Sequence, residues 1–162
     1  MTDPHSKVYT LEEAVAQRKI LASRQKRLVV TNGCFDLLHR GHAEYLLKAR
    51  MTGDALFVLV NSDASVRSLK GPTRPVNQED DRALLLACLE FVDGVVIFDS
   101  VRCDKELLAL APDVYAKGGD YTVESLAEPE RSALFAVKSQ ICFIPFVDGY
   151  STTSTLARAA KK

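Results

Sequence analysis

The chain has no tryptophan, only two methionines, and no net charge, since 21 Lys and Arg balance 21 Asp and Glu across its 162 residues. The missing basic excess argues against a domain that lives on nucleic acid, whose phosphates call for a positive field. A polyanionic ligand must then be met by a local site. Long apolar runs are missing as well. The longest uninterrupted one covers residues 83–89, far below the ~20 residues of a membrane span, so no membrane partner is expected. The opening Met1-Thr2-Asp3-Pro4-His5-Ser6 lacks a basic stretch followed by an apolar one, and no secretory leader is expected. The four cysteines, at 34, 88, 103 and 142, form no CxxC pair, so reduced thiols in a cytoplasmic protein are the expectation. Two nucleotide fingerprints are absent too. There is no GxxxxGK[ST] and no GxGxxG after the first strand-like run.

What is present is an ordinary globular composition, 47% apolar and 26% charged. The length suits one domain spanning residues 1–162. Five short apolar runs read as buried strands, at 28–32, 56–60, 95–98, 114–116 and 141–145. Between them lie helical patterns. Thr10 and Glu13 form a capping box for a helix over 11–24. A second helix is expected from Gly41 or His42 to Met51, with Leu46 and Leu47 inward. Others are expected over 78–91 after an Asn77 cap, after Asp104, near 129–138, and after a Ser151 or Thr152 cap. Asn61-Ser62-Asp63 reads as a strand end, and Lys70 to Pro75 as a loop dense in breakers. Strands alternating with helices predict a Rossmann-like α/β open sheet of about five mainly parallel strands, with helices on both faces.

In such sheets ligands bind beyond the carboxyl ends of the strands, and the polar residues of this chain collect there. His39-Arg40-Gly41-His42 follows the first strand and opens a helix. Spacing of three puts both imidazoles on one side of the first turn. Gly41 lets a phosphate approach the backbone, and the helix start adds free N–H groups and a positive dipole end. Such a pair also occurs as a helix cap, in a core, or on zinc, which would need a third ligand that no Cys/His cluster supplies. Ser151, Thr152 and Thr153 at a later helix start can hold phosphate or simply cap the helix. Lys70 and Arg74 flank breakers in a loop able to close over a substrate or to stand in solvent. Lys117-Gly118-Gly119-Asp120 ends a strand, as a close backbone approach or a tight turn.

These pieces occur in a familiar order. The segment Thr31-Asn32-Gly33-Cys34-Phe35-Asp36-Leu37-Leu38-His39-Arg40-Gly41-His42 resembles the opening motif of the cytidylyltransferase-like nucleotidyltransferases, and Ser151-Thr152-Thr153 resembles their second signature. Within that group, Leu69-Lys70-Gly71-Pro72, Arg74-Pro75-Val76-Asn77, Arg82-Ala83 and Pro112-Asp113-Val114-Tyr115-Ala116-Lys117-Gly118-Gly119-Asp120-Tyr121 look like the D-glycero-D-manno-heptose 1-phosphate adenylyltransferases, in their stand-alone form. The resemblance spans about residues 10 to 160 and departs from the family over 127–140.

It implies transfer of AMP from ATP to a heptose 1-phosphate, for lipopolysaccharide or surface-glycan precursors. His39, His42 and Lys70 would be catalytic. Asn32, Gly33, Cys34, Phe35, Gly41, Lys117, Gly118, Ser151, Thr152 and Thr153 would hold the nucleotide. Asp36, Asp63, Arg74 and Asp120 would meet the substrate. Mg²⁺ would travel on the ATP phosphates with no dedicated protein site, Asp36 being a candidate outer partner. A homodimer is the expected assembly. A CTP-dependent enzyme acting on a polyol phosphate such as glycerol 3-phosphate, and a non-catalytic nucleotide sensor, are the competing readings.

Overall fold

The computed structural model describes residues 3–145, 149–150 and 152–159. After a 3-10 turn at Pro4–Lys7, the described elements run β1 (Val8–Tyr9), α1 (Leu11–Ser23), β2 (Leu28–Gly33), α2 (Arg40–Arg50), β3 (Ala55–Asn61), α3 (Asp63–Lys70) and α4 (Glu79–Ala87). They continue as β4 (Gly94–Phe98), α5 (Asp104–Leu110), β5 (Val114–Gly118), α6 (Glu128–Ala136), β6 (Gln140–Ile144) and α7 (Thr152–Ala159). The capping box closes as the sequence implies: the Glu13 N–H donates to Thr10 Oγ1 at 3.2 Å, and the Thr10 N–H to the Glu13 carboxylate at 2.8 Å.

The strands form one parallel sheet in the order β1-β4-β3-β2-β5-β6. Period-two alternation divides the core between its faces. On one face Val29, Val58, Val60 and Ala116 pack against Tyr45, Leu46 and Ala49 of α2 and Leu86 of α4. On the other, Val30, Phe57, Leu59 and Tyr115 pack against Ala14 of α1, Leu107 of α5 and Leu134 of α6.

Several details differ from the sequence reading. The sheet has six strands rather than five, because Val8–Tyr9 pairs with Val95 and Val96 and is too short to show a pattern of its own. All the pairs are parallel. Residues 63–70 form a helix, capped by Ser62, whose Oγ accepts from the Ser65 N–H at 3.3 Å. Lys70 therefore closes α3 rather than riding in a loop, and Gly71, at φ +95°, ends that helix. α4 is capped at Gln78 rather than Asn77 and stops at Ala87, and Leu47 faces outward at 45% exposure while Leu46 is fully buried.

Candidate active site

Order fixes where a ligand can enter. From β2 the chain steps to β3 and β4 on one side, then crosses back to lay β5 and β6 on the other. The switch point is therefore the crevice beyond the carboxyl ends of β2 and β5. A cleft of about 300 Å³ opens there. Asn32, Gly33, Cys34, Phe35 and Asp36 line it from β2 and the segment after it. His42 and Tyr45 line it from α2, Lys70 from α3, Lys117, Gly118 and Tyr121 from β5 and beyond, and Thr152 from α7.

The histidine pair sits at the start of α2. His39 is the N-cap residue, in an extended conformation and with no side-chain capping bond, which leaves its ring free to turn elsewhere. It stacks on His42 with ring centroids 3.8 Å apart and planes 20° from parallel. Phe35 meets His42 edge-on at 5.4 Å, and Tyr150 lies 6.5 Å from His39 on a nearly parallel plane. Phe35 reaches this place through a left-handed backbone, φ +46°, and Gly33 makes room, since a Cβ there would stand 2.9 Å from the Phe35 ring. Gly41 is needed for packing as well as approach. A Cβ on it would lie 3.0 Å from Tyr150 Cβ and 3.1 Å from the His39 ring.

Burial, the neighbouring His39 and the Lys70 charge push the His42 pKa down to about 4. Burial also lowers that of His39. The pair is therefore neutral at pH 7. The buried His39 Nδ1 has no hydrogen-bond partner. An unspent polar atom beside a cleft is available to a ligand.

Opposite the pair, Lys117 Nζ donates to Asn32 Oδ1 at 3.2 Å and to the Tyr115 hydroxyl at 3.3 Å, and Tyr115 donates to Asn32 Oδ1 at 2.6 Å. The ammonium also sits 5.6 Å from the centre of the Tyr121 ring. Cys34 contributes mainly backbone. Its carbonyl accepts from Arg82 at 2.6 Å, while its thiol, pushed up by burial, reaches only Asn61 Oδ1 at 3.8 Å.

Of the residues expected from sequence, His39, Gly41, Asp63, Arg74 and Asp120 lie outside the cleft lining, His39 bordering a separate hollow with Leu38, Arg40, Ala43 and Leu89. Asp36 lines the cleft, but its Oδ1 accepts from the N–H groups of Val76 and Asn77 at 2.7 and 3.1 Å, and its Oδ2 pairs with Arg74 at 2.8 Å. Asp63 pairs with Arg82 at 2.8 Å. Asp120 is exposed and outside the lining. Ser151 lies outside the described residues, and Thr153 falls within α7.

Three residues were given no role at the site by the sequence reading. Arg82, fully buried, ties together the Asn77 and Cys34 carbonyls and the Asp63 carboxylate. Its place in an amphipathic helix gave no sign of this. Tyr45 sits one turn after His42, so helical spacing alone puts it on the cleft face. Its buried hydroxyl donates to the Ala116 carbonyl at 3.1 Å, and burial raises its pKa. Tyr121 follows the glycine pair that ends β5 and needed the sheet order to be found.

The described residues contain no group of three or more His, Cys, Asp or Glu able to hold a metal ion. Nor do they contain a helix long and apolar enough to cross a membrane.

Against known proteins, the Cytidylyltransferase-like family model matches residues 30–159. The Bifunctional protein HldE of Geotalea uraniireducens (strain Rf4) is 47% identical over 156 residues, covering 96% of this chain and 31% of that protein. That of Helicobacter pylori (strain Shi470) is 43% identical over 158 residues, covering 98% and 32%. The chain thus spans about a third of the length of these curated relatives. Among solved structures, the lipopolysaccharide core biosynthesis protein from Thermoplasma volcanium GSS1 superposes with a TM-score of 0.62 at 27% identity, over 78% of this chain and 99% of that one. Pantoate-beta-alanine ligase from Francisella tularensis shares the fold alone, with a TM-score of 0.58 at 13% identity, over 94% of this chain and 76% of the other.

Proposed function

The chain belongs to the cytidylyltransferase-like family, and from that premise we propose that it transfers AMP from ATP to a heptose 1-phosphate, giving ADP-heptose and pyrophosphate. The observation that carries the reading is His42 at the start of α2, backed by the stacked His39 ring and lining the switch-point cleft together with Lys70, Lys117 and Thr152. The likeness to HldE proteins and to a lipopolysaccharide core biosynthesis protein supports the substrate class.

In this reading the triphosphate lies along the α2 and α7 starts. A phosphate oxygen of the sugar attacks the α-phosphorus in line. The new P–O bond forms as the bond to the α–β bridging oxygen breaks, and pyrophosphate leaves with the electron pair. The sugar phosphate is already an anionic nucleophile, so neither histidine need remove a proton. Both rings enter neutral and donate N–H hydrogen bonds to oxygens where charge builds, a preorganised stabilisation. Lys70 and Lys117 supply the fixed positive charge, and the cleft walls hold the reactants in line. Mg²⁺ fits as a passenger on the nucleotide phosphates, neutralising their charge. Mg²⁺ keeps most of its waters and takes few protein ligands, which suits that role. Self-association into a homodimer belongs to the same reading.

The test is pyrophosphate release with Mg²⁺ and heptose 1-phosphate, run in parallel with ATP, CTP, GTP and UTP. Release with ATP alone is the expected result. Release with CTP, or only with a polyol phosphate such as glycerol 3-phosphate, would keep the in-line chemistry and replace the substrates, a reading that the family's own description favours. Nucleotide binding with no release from any acceptor would leave a sensor.

A further inference from the structure

Glu130 is a fully buried carboxylate that the proposed chemistry does not use. It is 2% exposed, and among the described residues no basic side chain pairs with it. A buried charge of this kind is costly unless it is compensated. Its Oε1 has three donors: the Cys103 thiol at 3.4 Å and, both at the long end of hydrogen bonding, the Cys103 N–H at 3.5 Å and the Asn32 amide Nδ2 at 3.5 Å. Glu130 stands in the first turn of α6, whose helix start favours its negative charge.

The third donor gives this arrangement a direction. With Nδ2 turned toward Glu130, the other end of the Asn32 amide, Oδ1, faces the cleft, where it accepts from Lys117 at 3.2 Å and Tyr115 at 2.6 Å. An amide reversed about its last torsion would set an N–H₂ against an ammonium and a hydroxyl donor. Lys117 is the cation that bonds to this network, and its charge is felt at the Cys103 thiol, which burial and Glu130 push well up.

We propose that Glu130 is a positioning residue: acting through Asn32, it holds the Lys117 ammonium at the cleft, where it meets a substrate phosphate. This deepens the adenylyltransferase reading and rests on it for the identity of that phosphate.

A double-mutant cycle on ATP affinity tests it. Glu130→Gln keeps the shape, loses the charge, and lets either end of the Asn32 amide find a partner. It is expected to weaken ATP binding about tenfold, the lower end of what a hydrogen bond to a charged group is worth, with kcat at saturation changed less than threefold. Lys117→Met should weaken binding by a similar factor, and the double variant no further. Cys103→Ala, which removes another contact to the same carboxylate, should leave affinity unchanged, and Glu130→Asp should restore part of the loss. Wild-type affinity in Glu130→Gln, or losses that multiply in the double variant, would overturn the proposal. If the wild-type chain binds no ATP, the nucleotide reading falls, and the Lys117 ε-carbon resonance in labelled protein decides instead. It moves in Glu130→Gln and not in Cys103→Ala if Glu130 governs that ammonium; a resonance unmoved by Glu130→Gln sinks the idea.

Discussion

The two edges of the sheet use polar residues in opposite ways. At the amino edge, each carboxylate is spent on the chain itself. Asp113 accepts from the Leu28 N–H at 2.7 Å and pairs with Arg18, and Asp93 accepts from the Leu56 N–H at 2.8 Å and pairs with Arg50. Asp54 does the same for the Arg27 N–H, at 2.8 Å. These bonds answer backbone donors that begin a parallel strand with no neighbour ahead of them. At the carboxyl edge, His39 keeps a buried nitrogen unpaired and Lys70 is exposed at the cleft. A polar group with its partners in place stabilises the fold, whereas one held rigid without them is ready for a ligand. Arg82 and Asp36 are exceptions at the carboxyl edge. They are fully engaged, and what they fix is the segment that carries the cleft wall.

Substitutions should therefore separate by edge. The largest effect belongs to His42→Ala, which should cut turnover by about two orders of magnitude or more, the scale of losing a main electrostatic stabiliser, while thermal unfolding stays as high as in the wild type. A folded variant with near-normal kcat would erase the distinction. Asp113→Ala should do the reverse. Denaturant unfolding should show a loss of about 2 kcal/mol from an unanswered strand N–H and a broken ion pair, with kcat within twofold.

Acid sharpens the contrast next. The folded chain holds His42 neutral down to about pH 4, while the unfolded chain protonates it near its ordinary 6.5. Between those values the unfolded state binds the extra proton, so this contribution is complete above 6.5 and is lost as pH falls toward 4. Unfolding followed across that window should show a decline of roughly 1–2 kcal/mol from this residue, its partial solvent contact included. The decline should be missing in His42→Ala. The smallest effect is expected for Cys34→Ser, since that position works through its carbonyl. Turnover should stay within about twofold and stability within about 0.5 kcal/mol.

Much of the site was legible because its signals are local. A β-rich run, a turn and a helix start with histidines three apart declare a strand-end site in one stretch of a dozen residues. What was not legible depends on partners far along the chain. Asp36 looks like a free strand-end carboxylate until Arg74, Val76 and Asn77 arrive some forty residues later. Asp63 looks the same until Arg82 folds back on it. Glu130 sits in Glu128-Pro129-Glu130-Arg131, which reads as a polar first turn at the surface, yet the packing of α6 on α5 buries it.

By itself, then, the sequence determined the alternation of strand and helix, the capping of α1, and the composition of the α2 start, because propensity, periodicity and capping act over a few neighbouring residues. Only the tertiary structure decided the strand order, and with it the crevice between β2 and β5 that brings residues 32, 42, 70, 117 and 152 around one cleft. It also decided which charged side chains remain available there, since that depends on whether a distant segment supplies a counter-charge before solvent or a substrate can.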